Sequence, residues 1–525
     1  MAFSLFGFTV SWPLVGALVG IIVGREIWRL TYFKRKGLPS PTPLPFLGNF
    51  MSFAEGIHVA MLRYTKTHGK VFGIYMFSQP VYVVSDPDII QDMAVKSFSS
   101  FTNHQDFVLK NKPFDKGLTV LQDQHWKDVR NVITPTFSAA KMKKMSGLIN
   151  ECCDQLVRNI RVKQQKDTEI NVNSIFESFT MDGIARCAFG LEVDSQNNPD
   201  DPFVTNAKEI VGGSLINPKL ILAGILPPVA HVMNYFDVGM FPPGVTQFFT
   251  DVVGKAMKLR ETSQGNEEKK DFLQLMMNAH KESEKVPEGK VTEDDVHSHL
   301  DDHHGNGLLD SKKTNHVKLT TEEIVAQAVF FFIAGYETTN VTLGFIAYSL
   351  ATNPEIQDKL IQEVDEMAPD RDSVNYSSIA KMTYLDGVVC ETLRLYPAAS
   401  LTDRECSQDY TNKSLSVPKG CQVFFSIFSL HRDPEYWPNP EVFDPERFSK
   451  KNREGRHPFA WMPFGAGPRI CVGMRFALME IKMAVVRVLQ KYRFETSPNS
   501  QVPVKLGKRS VKPESGIILS VVERE

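Results

Sequence analysis

One cysteine of the seven in this chain stands apart by its neighbours. Cys471 lies in Phe464-Gly-Ala-Gly-Pro-Arg-Ile-Cys-Val-Gly473. Gly465, Gly467 and Gly473 let the backbone turn tightly and approach a flat partner closely. Arg469 puts a fixed positive charge two residues before the sulfur. A cation and backbone N–H groups around a cysteine favour its thiolate, the form that ligates a metal. No other cysteine or histidine stands at zinc spacing from Cys471, so a four-ligand zinc site fits poorly. A single thiolate is what a haem iron takes when O–O cleavage is the goal.

Three further patches carry chemistry. Thr320 and Glu323 form a capping box for a helix that stays apolar from Ile324 to Leu350 and stops at Asn353-Pro354. Gln327, Glu337 and Asn340 interrupt it, which argues against a membrane span. Within it, in Ala334-Gly-Tyr-Glu-Thr-Thr339, Gly335 leaves the helix surface bare, open to a planar cofactor and a diatomic gas. The Thr338 hydroxyl can reach the Ala334 carbonyl four residues back and bend the helix. Glu391 and Arg394 share one helix face at i,i+3 spacing, which in isolation describes an ordinary surface pair. Trp126 and Arg130, one helical turn apart, can both donate to an anion; alone, they read equally as a core Trp beside a solvated Arg.

The four patches together resemble a known family. Phe464, Gly467, Arg469, Cys471 and Gly473 fit the haem signature F-x-x-G-x-R-x-C-x-G of the cytochromes P-450. The resemblance implies a haem b cofactor with Cys471 as its iron ligand. It also implies that Glu337 and Thr338 are an acid–alcohol pair relaying protons through water to dioxygen. With Leu395-Tyr-Pro397 and Asp444-Pro-Glu-Arg-Phe448, it makes Glu391, Arg394 and Arg447 a buried structural network. Trp126, Arg130, Arg404 and Arg469 fall where the family binds the haem propionates. Close relatives often place an arginine after Phe101-Thr-Asn103; this chain has His104, and no propionate contact is assigned to it. Thr119, Ala334, Ala399 and Ser400 fall in pocket-lining segments, and their small size suits bulky lipophilic substrates.

These residues must be carried by a mainly helical chain with smaller β regions, an α+β body of the cytochrome P-450 fold. Helical periodicity dominates from about residue 55, and strand-like runs occur at Val81–Val84, 413–425 and 516–522. Ahead of the body, residues 2–24 carry no charge, and 23 residues of helix span roughly 34 Å, enough to cross a bilayer. Arg25, Arg29, Lys34, Arg35 and Lys36 follow at once, which keeps that flank cytosolic. The expected organisation is an anchor at 2–24, a basic and proline-rich hinge at 25–49, and a haem-thiolate catalytic domain at 50–525. Matches to the glycosylation pattern at Asn340, Asn375 and Asn412 then face the cytosol and go unused.

Composition narrows the partners. Lys+Arg 59 against Asp+Glu 61 excludes the basic excess of a nucleic-acid protein, and seven scattered cysteines are no disulfide framework. No G-x-G-x-x-G opens a helix, so electrons must come from a partner. The resemblance names NADPH-cytochrome P-450 reductase, with cytochrome b5 as a second donor, at the endoplasmic reticulum membrane. Lys127, Lys141, Lys143 and Lys144 are candidates for the surface that meets an acidic reductase. The polar stretch 281–319, with His297, His299, His303 and His304, reads as a solvated loop or a metal cluster. The proline-broken apolar region 218–246 reads as membrane-facing or as core.

Asp271-Phe-Leu-Gln-Leu-Met276 and Phe332–Thr339 are similar to the clan of the family 3 drug and steroid monooxygenases and thromboxane synthase. Two reactions follow: insertion of one atom of dioxygen into a lipophilic xenobiotic, steroid or lipid, or rearrangement of an endoperoxide. Thromboxane synthase lacks the threonine of the relay, whereas Thr338 is present here, which favours the monooxygenase. A non-catalytic haem protein is the reading from a third class.

Overall fold

Pro13 decides where the first helix begins. In the computed structural model, the expected helix over residues 2–24 gives way to two paired strands, Ala2–Leu5 and Phe8–Ser11, followed by helix α1, Trp12–Leu30. Proline suits the first helical turn, where its missing N–H has no partner to lose, and Phe8-Thr-Val-Ser11 is rich in strand formers. The 19 residues of α1 span about 28 Å and include Arg25, Glu26 and Arg29. Its apolar side chains face outward, Ile21 and Trp28 being 67% and 66% exposed. The structure describes residues 2–524 except 6–7, 107–108, 111, 192, 194, 196–197, 199–200, 213–217, 237, 240–241, 263–270, 283–318, 413 and 509. The histidine-rich stretch lies outside the described residues.

The hinge is docked. Glu26 is buried and accepts hydrogen bonds from Phe46 N at 2.9 Å and Ser78 Oγ at 2.7 Å. Phe33 is fully buried, edge-on to the rings of Tyr75 and Tyr82, and its N–H donates to the Tyr75 hydroxyl at 3.0 Å. A Cβ added at Gly73 would stand 2.3 Å from the Phe33 ring, so this glycine makes room for the plug.

Five more helices position the chemistry: α2, Asp123–Ile133; α3, Val172–Ile184; α4, Thr321–Ala351; α5, Thr383–Leu395; and α6, Met474–Leu489. Helix α4 is apolar nearly all round and therefore runs through the main core, packed on α3, α5 and α6. Among the described residues it is the one helix long and apolar enough to cross a membrane, yet most of it is buried inside the protein. The expected capping box forms: Glu323 N donates to Thr320 Oγ1 at 3.2 Å, and Thr320 N returns to Glu323 Oε2 at 2.7 Å.

A four-stranded sheet stands beside this bundle. Val71–Met76 pairs antiparallel with Gln79–Val84, which runs parallel to Gln422–Phe425, and Thr402–Glu405 closes the order antiparallel. A three-stranded sheet joins Tyr492–Glu495, Ile518–Glu523 and Ile170–Asn171. Of the strand-like runs seen in the sequence, Val81–Val84 lies within a strand, 413–425 holds the strands Ser416–Val417 and Gln422–Phe425, and 516–522 overlaps Ile518–Glu523. In the proline-broken region the core reading holds for part of the segment only. Ala223 and Ala230 pack inward on Leu109, while Leu222, Leu226, Val232, Tyr235 and Phe236 are exposed.

Candidate active site

Cys471 sits between a tight turn and the start of α6. Gly465 and Gly467 take φ of +80° and +68°, a backbone that side-chain-bearing residues rarely adopt. A Cβ on Gly467 would also lie 2.0 Å from the Ala94 carbonyl oxygen. Gly473 has φ −85°, so its place rests on being the N-cap of α6 and a wall of the cavity rather than on a special turn. The turn is closed by Ile470 N to Gly467 O and by Cys471 N to Phe464 O, both 2.9 Å. Phe464 thus contributes its carbonyl, and it does not line the cavity.

The sulfur faces a cavity of about 160 Å³ lined by Thr119, Trp126, Arg130, Ala334, Gly335, Thr338, Arg469 and Gly473 among others. Phe137, Phe272, Phe330, Phe331, Phe476 and Ile184 supply an apolar wall. The Cys471 side chain is open to the cavity, and desolvation by the protein packed around it pushes its thiol up, opposed by the Gly473 N–H, the Arg130 guanidinium and the Met474 N–H. The cation acting on the sulfur is therefore Arg130 of α2, not the sequence neighbour Arg469. The Arg469 side chain is held elsewhere: it donates to the carbonyls of Thr102, Leu118 and Leu121 at 2.8, 3.2 and 2.8 Å. Its guanidinium also stacks 3.9 Å from the centre of the Trp126 ring.

A haem fits these residues. Arg130, Arg404 and Arg469 are buried, and among the described residues none forms an ion pair with a carboxylate. Arg130 donates to Ile470 O at 2.7 Å; Arg404 donates to Asp403 O at 2.6 Å, and its Nε has no partner. Burial, reinforced at Arg469 by repulsion from Arg404 and Arg130, pushes Arg130 and Arg404 down to about 10 and Arg469 to about 9. Three buried cations in want of an anion suit a dianionic propionate edge. The apolar wall suits the macrocycle and Cys471 the iron. His104 lies at this edge, 3.1 Å from Asp403 and 3.5 Å from Arg404.

On the α4 side of the cavity, Thr338 Oγ1 donates to Ala334 O at 2.6 Å, as the spacing predicts. Gly335 lines the cavity, but its missing side chain also accommodates α3, since a Cβ there would meet Ile184 Cδ1 at 3.0 Å. Glu337 does not line the cavity; it pairs with Lys512, Nζ to Oε1 2.8 Å. Thr119 and Ala334 line the cavity, whereas Ala399 and Ser400 do not. Phe330, four residues before Ala334 and eight before Thr338, was legible from helical spacing alone. Phe137 and Phe476 had no such signal.

The network of Glu391 closes on itself. Arg394 meets it bidentately, Nε to Oε2 and Nη2 to Oε1 both 2.7 Å, and Asp444 N donates to Oε1 at 3.0 Å. Arg447 Nε stands 3.3 Å from the same oxygen. Arg394 also donates to the carbonyls of His431, Pro440 and Val442.

Comparison with known proteins decides the family. The profile of the family "Cytochrome P450" matches residues 38–308 and 298–521. The chain belongs to the cytochrome P450 family. It is 39% identical over 499 residues to cytochrome P450 3A9 of Rattus norvegicus, covering 94% of this chain and 92% of that protein. It is 39% identical to cytochrome P450 3A6 of Oryctolagus cuniculus and 36% identical to cytochrome P450 3A29 of Sus scrofa, each over 98% of this chain and 97% of the relative. This P450 is accordingly a haem-thiolate monooxygenase that draws electrons from a redox partner and acts on lipophilic molecules.

Proposed function

We propose that this P450 is anchored in the endoplasmic reticulum membrane with its catalytic body on the cytosolic face. In this reading it takes electrons from NADPH through cytochrome P-450 reductase, with cytochrome b5 as a second donor, and oxidises a xenobiotic, steroid or lipid. The observation that carries the reading is that Cys471 and Thr338 line one apolar cavity. The bound haem supplies the reductive activation of dioxygen. Cys471 ligates the iron, with Arg130 and the Gly473 and Met474 N–H groups favouring its thiolate. Trp126, Arg130, Arg404 and Arg469 hold the propionate edge. The phenylalanine wall keeps water out, and Ala334 leaves space for substrate. Thr338, braced on the Ala334 carbonyl, keeps its hydroxyl in the cavity to pass protons, with Glu337 as their source. An endoperoxide isomerase needs no such relay, so the intact pair supports the monooxygenase.

The exposed apolar face of α1, together with Leu222, Leu226, Tyr235 and Phe236, supports membrane contact. The test is the reduced, carbon-monoxide difference spectrum followed by reductase-driven turnover. A long-wavelength Soret band, lost in Cys471→Ala, is expected; a short-wavelength band in the wild type overturns thiolate ligation. Thr338→Ala should divert electrons from product to hydrogen peroxide, and unchanged coupling removes the relay.

A further inference from the structure

Glu337 is the acid of the relay, yet its carboxylate is committed to a residue 175 positions away: Lys512 Nζ lies 2.8 Å from Glu337 Oε1. Successive helix residues point about 100° apart, so with Thr338 facing the cavity Glu337 falls on the flank of α4. Both partners of the pair are about one-third exposed, at 35% and 33%. The lysine stands on a braced platform. Gly507 N donates to Lys512 O at 2.7 Å, Lys512 N to Ser510 O at 2.8 Å, and Glu514 N to Lys505 O at 3.0 Å. The adjacent Val511 is buried, and Val504 N donates to the Tyr348 hydroxyl of α4 at 3.1 Å, which ties this segment to the relay helix.

We infer that Lys512 is a positioning residue for proton delivery, holding the Glu337 carboxylate at the solvent-facing flank of α4 beside Thr338. The inference rests on the proton-relay reading and adds the group that aims its acid. A glutamate side chain free in water spreads over many rotamers, and the ammonium selects one of them. A pair this exposed is weak, worth about fivefold or less in equilibrium, so it reopens readily. That strength suits a carboxylate that must be released in each cycle better than it suits a structural prop. Solvent water gives a proton to the Glu337 carboxylate, Glu337 passes it towards Thr338 and becomes a carboxylate again, and Lys512 keeps its own proton throughout.

The test uses the haem-loaded full chain with reductase and a steroid that gives a spin shift. In Lys512→Met, product formed per NADPH should fall severalfold, hydrogen peroxide should rise, and the solvent deuterium isotope effect on turnover should increase. Steroid affinity from the spin shift should hold, and Lys512→Arg should restore most of the coupling. A readout without turnover is acylation of Lys512 by a water-soluble N-hydroxysuccinimide ester, followed by peptide mass spectrometry. It should accelerate severalfold in Glu337→Gln. If Lys512→Met couples like the wild type while Glu337→Gln uncouples, the relay stands and Lys512 has no part in it. If Glu337→Gln couples like the wild type, the relay reading falls and takes this inference with it.

Discussion

Two groups of buried arginines in this P450 differ in what faces them. Around Glu391 the charges are matched two to two: Glu391 receives Arg394 bidentately and stands 3.3 Å from Arg447, Asp444 lies 4.0 Å from Arg447, and backbone carbonyls take the remaining donors of Arg394. Arg130 and Arg469, which line the cavity, and Arg404 close behind them meet carbonyl oxygens and neutral side chains but no carboxylate at ion-pair distance among the described residues, and burial drives all three below the ordinary arginine range. A matched cluster is complete as the chain folds and holds the scaffold. An unmatched cluster is complete only when an anionic ligand arrives. The sign and balance of buried charge thus separate a structural network from a binding site, even though both are built from the same residue type.

That contrast is most directly broken at Glu391. Glu391→Leu strands two buried cations and should cost about 3–5 kcal/mol, measured by denaturant unfolding of the haem-loaded protein. Arg404→Met removes a cation that has no carboxylate at ion-pair distance, Asp403 acting on it only from farther off, so its effect should fall on the ligand. Haem transfer to an acceptor protein should quicken roughly ten- to hundredfold, the worth of charge-assisted hydrogen bonds at about 1.5–3 kcal/mol. Loss of fold stability equal to that of Glu391→Leu would erase the distinction.

A pH test addresses the matched cluster. His431 is fully buried, accepts from Met462 N at 2.9 Å through Nε2, and is pushed down to about 3 by burial and the nearby Arg394 and Arg432. The unfolded chain binds a proton near pH 6.5 that the folded chain refuses, so stability falls as pH drops below that value. Between pH 6.5 and pH 5 the loss from this group should be about 2 kcal/mol, and His431→Gln should flatten the slope over that window. The smallest effect belongs to four surface lysines, two exposed (Lys143, Lys144) and two half-buried (Lys127, Lys141). Neutralising Lys127, Lys141, Lys143 and Lys144 should lower reductase-driven turnover a few-fold and weaken its salt dependence, with the spin-shift titration unaffected.

Features written in contiguous sequence were legible. The cysteine turn, the capping box at Thr320, the Thr338-to-Ala334 bond and the Glu391–Arg394 pair all join residues within a few positions of one another. Features that depend on tertiary placement were not. Arg469 sits two residues from Cys471, yet three carbonyls of the 102–121 segment draw its guanidinium away, and Arg130 supplies the charge instead. Lys512 lies in an unremarkable basic stretch and gains meaning only beside α4. The start of α1 is not marked by charge, since residues 2–24 carry none, whereas Pro13 and the strand formers before it set the boundary.

The plug formed by Phe33 in the space above Gly73 reaches beyond local packing. A leash fixes only how far a body can drift from its mooring, but a keyed joint also fixes which way it points. With Phe33 seated and Glu26 clasped by Phe46 and Ser78, rotation about the hinge would require unseating a fully buried ring and an occupied carboxylate. In the membrane-anchored reading proposed above, such a joint would give the body a compass bearing relative to its mooring, so that the same face would meet the lipid each time and molecules dissolved in the bilayer would approach from one constant direction.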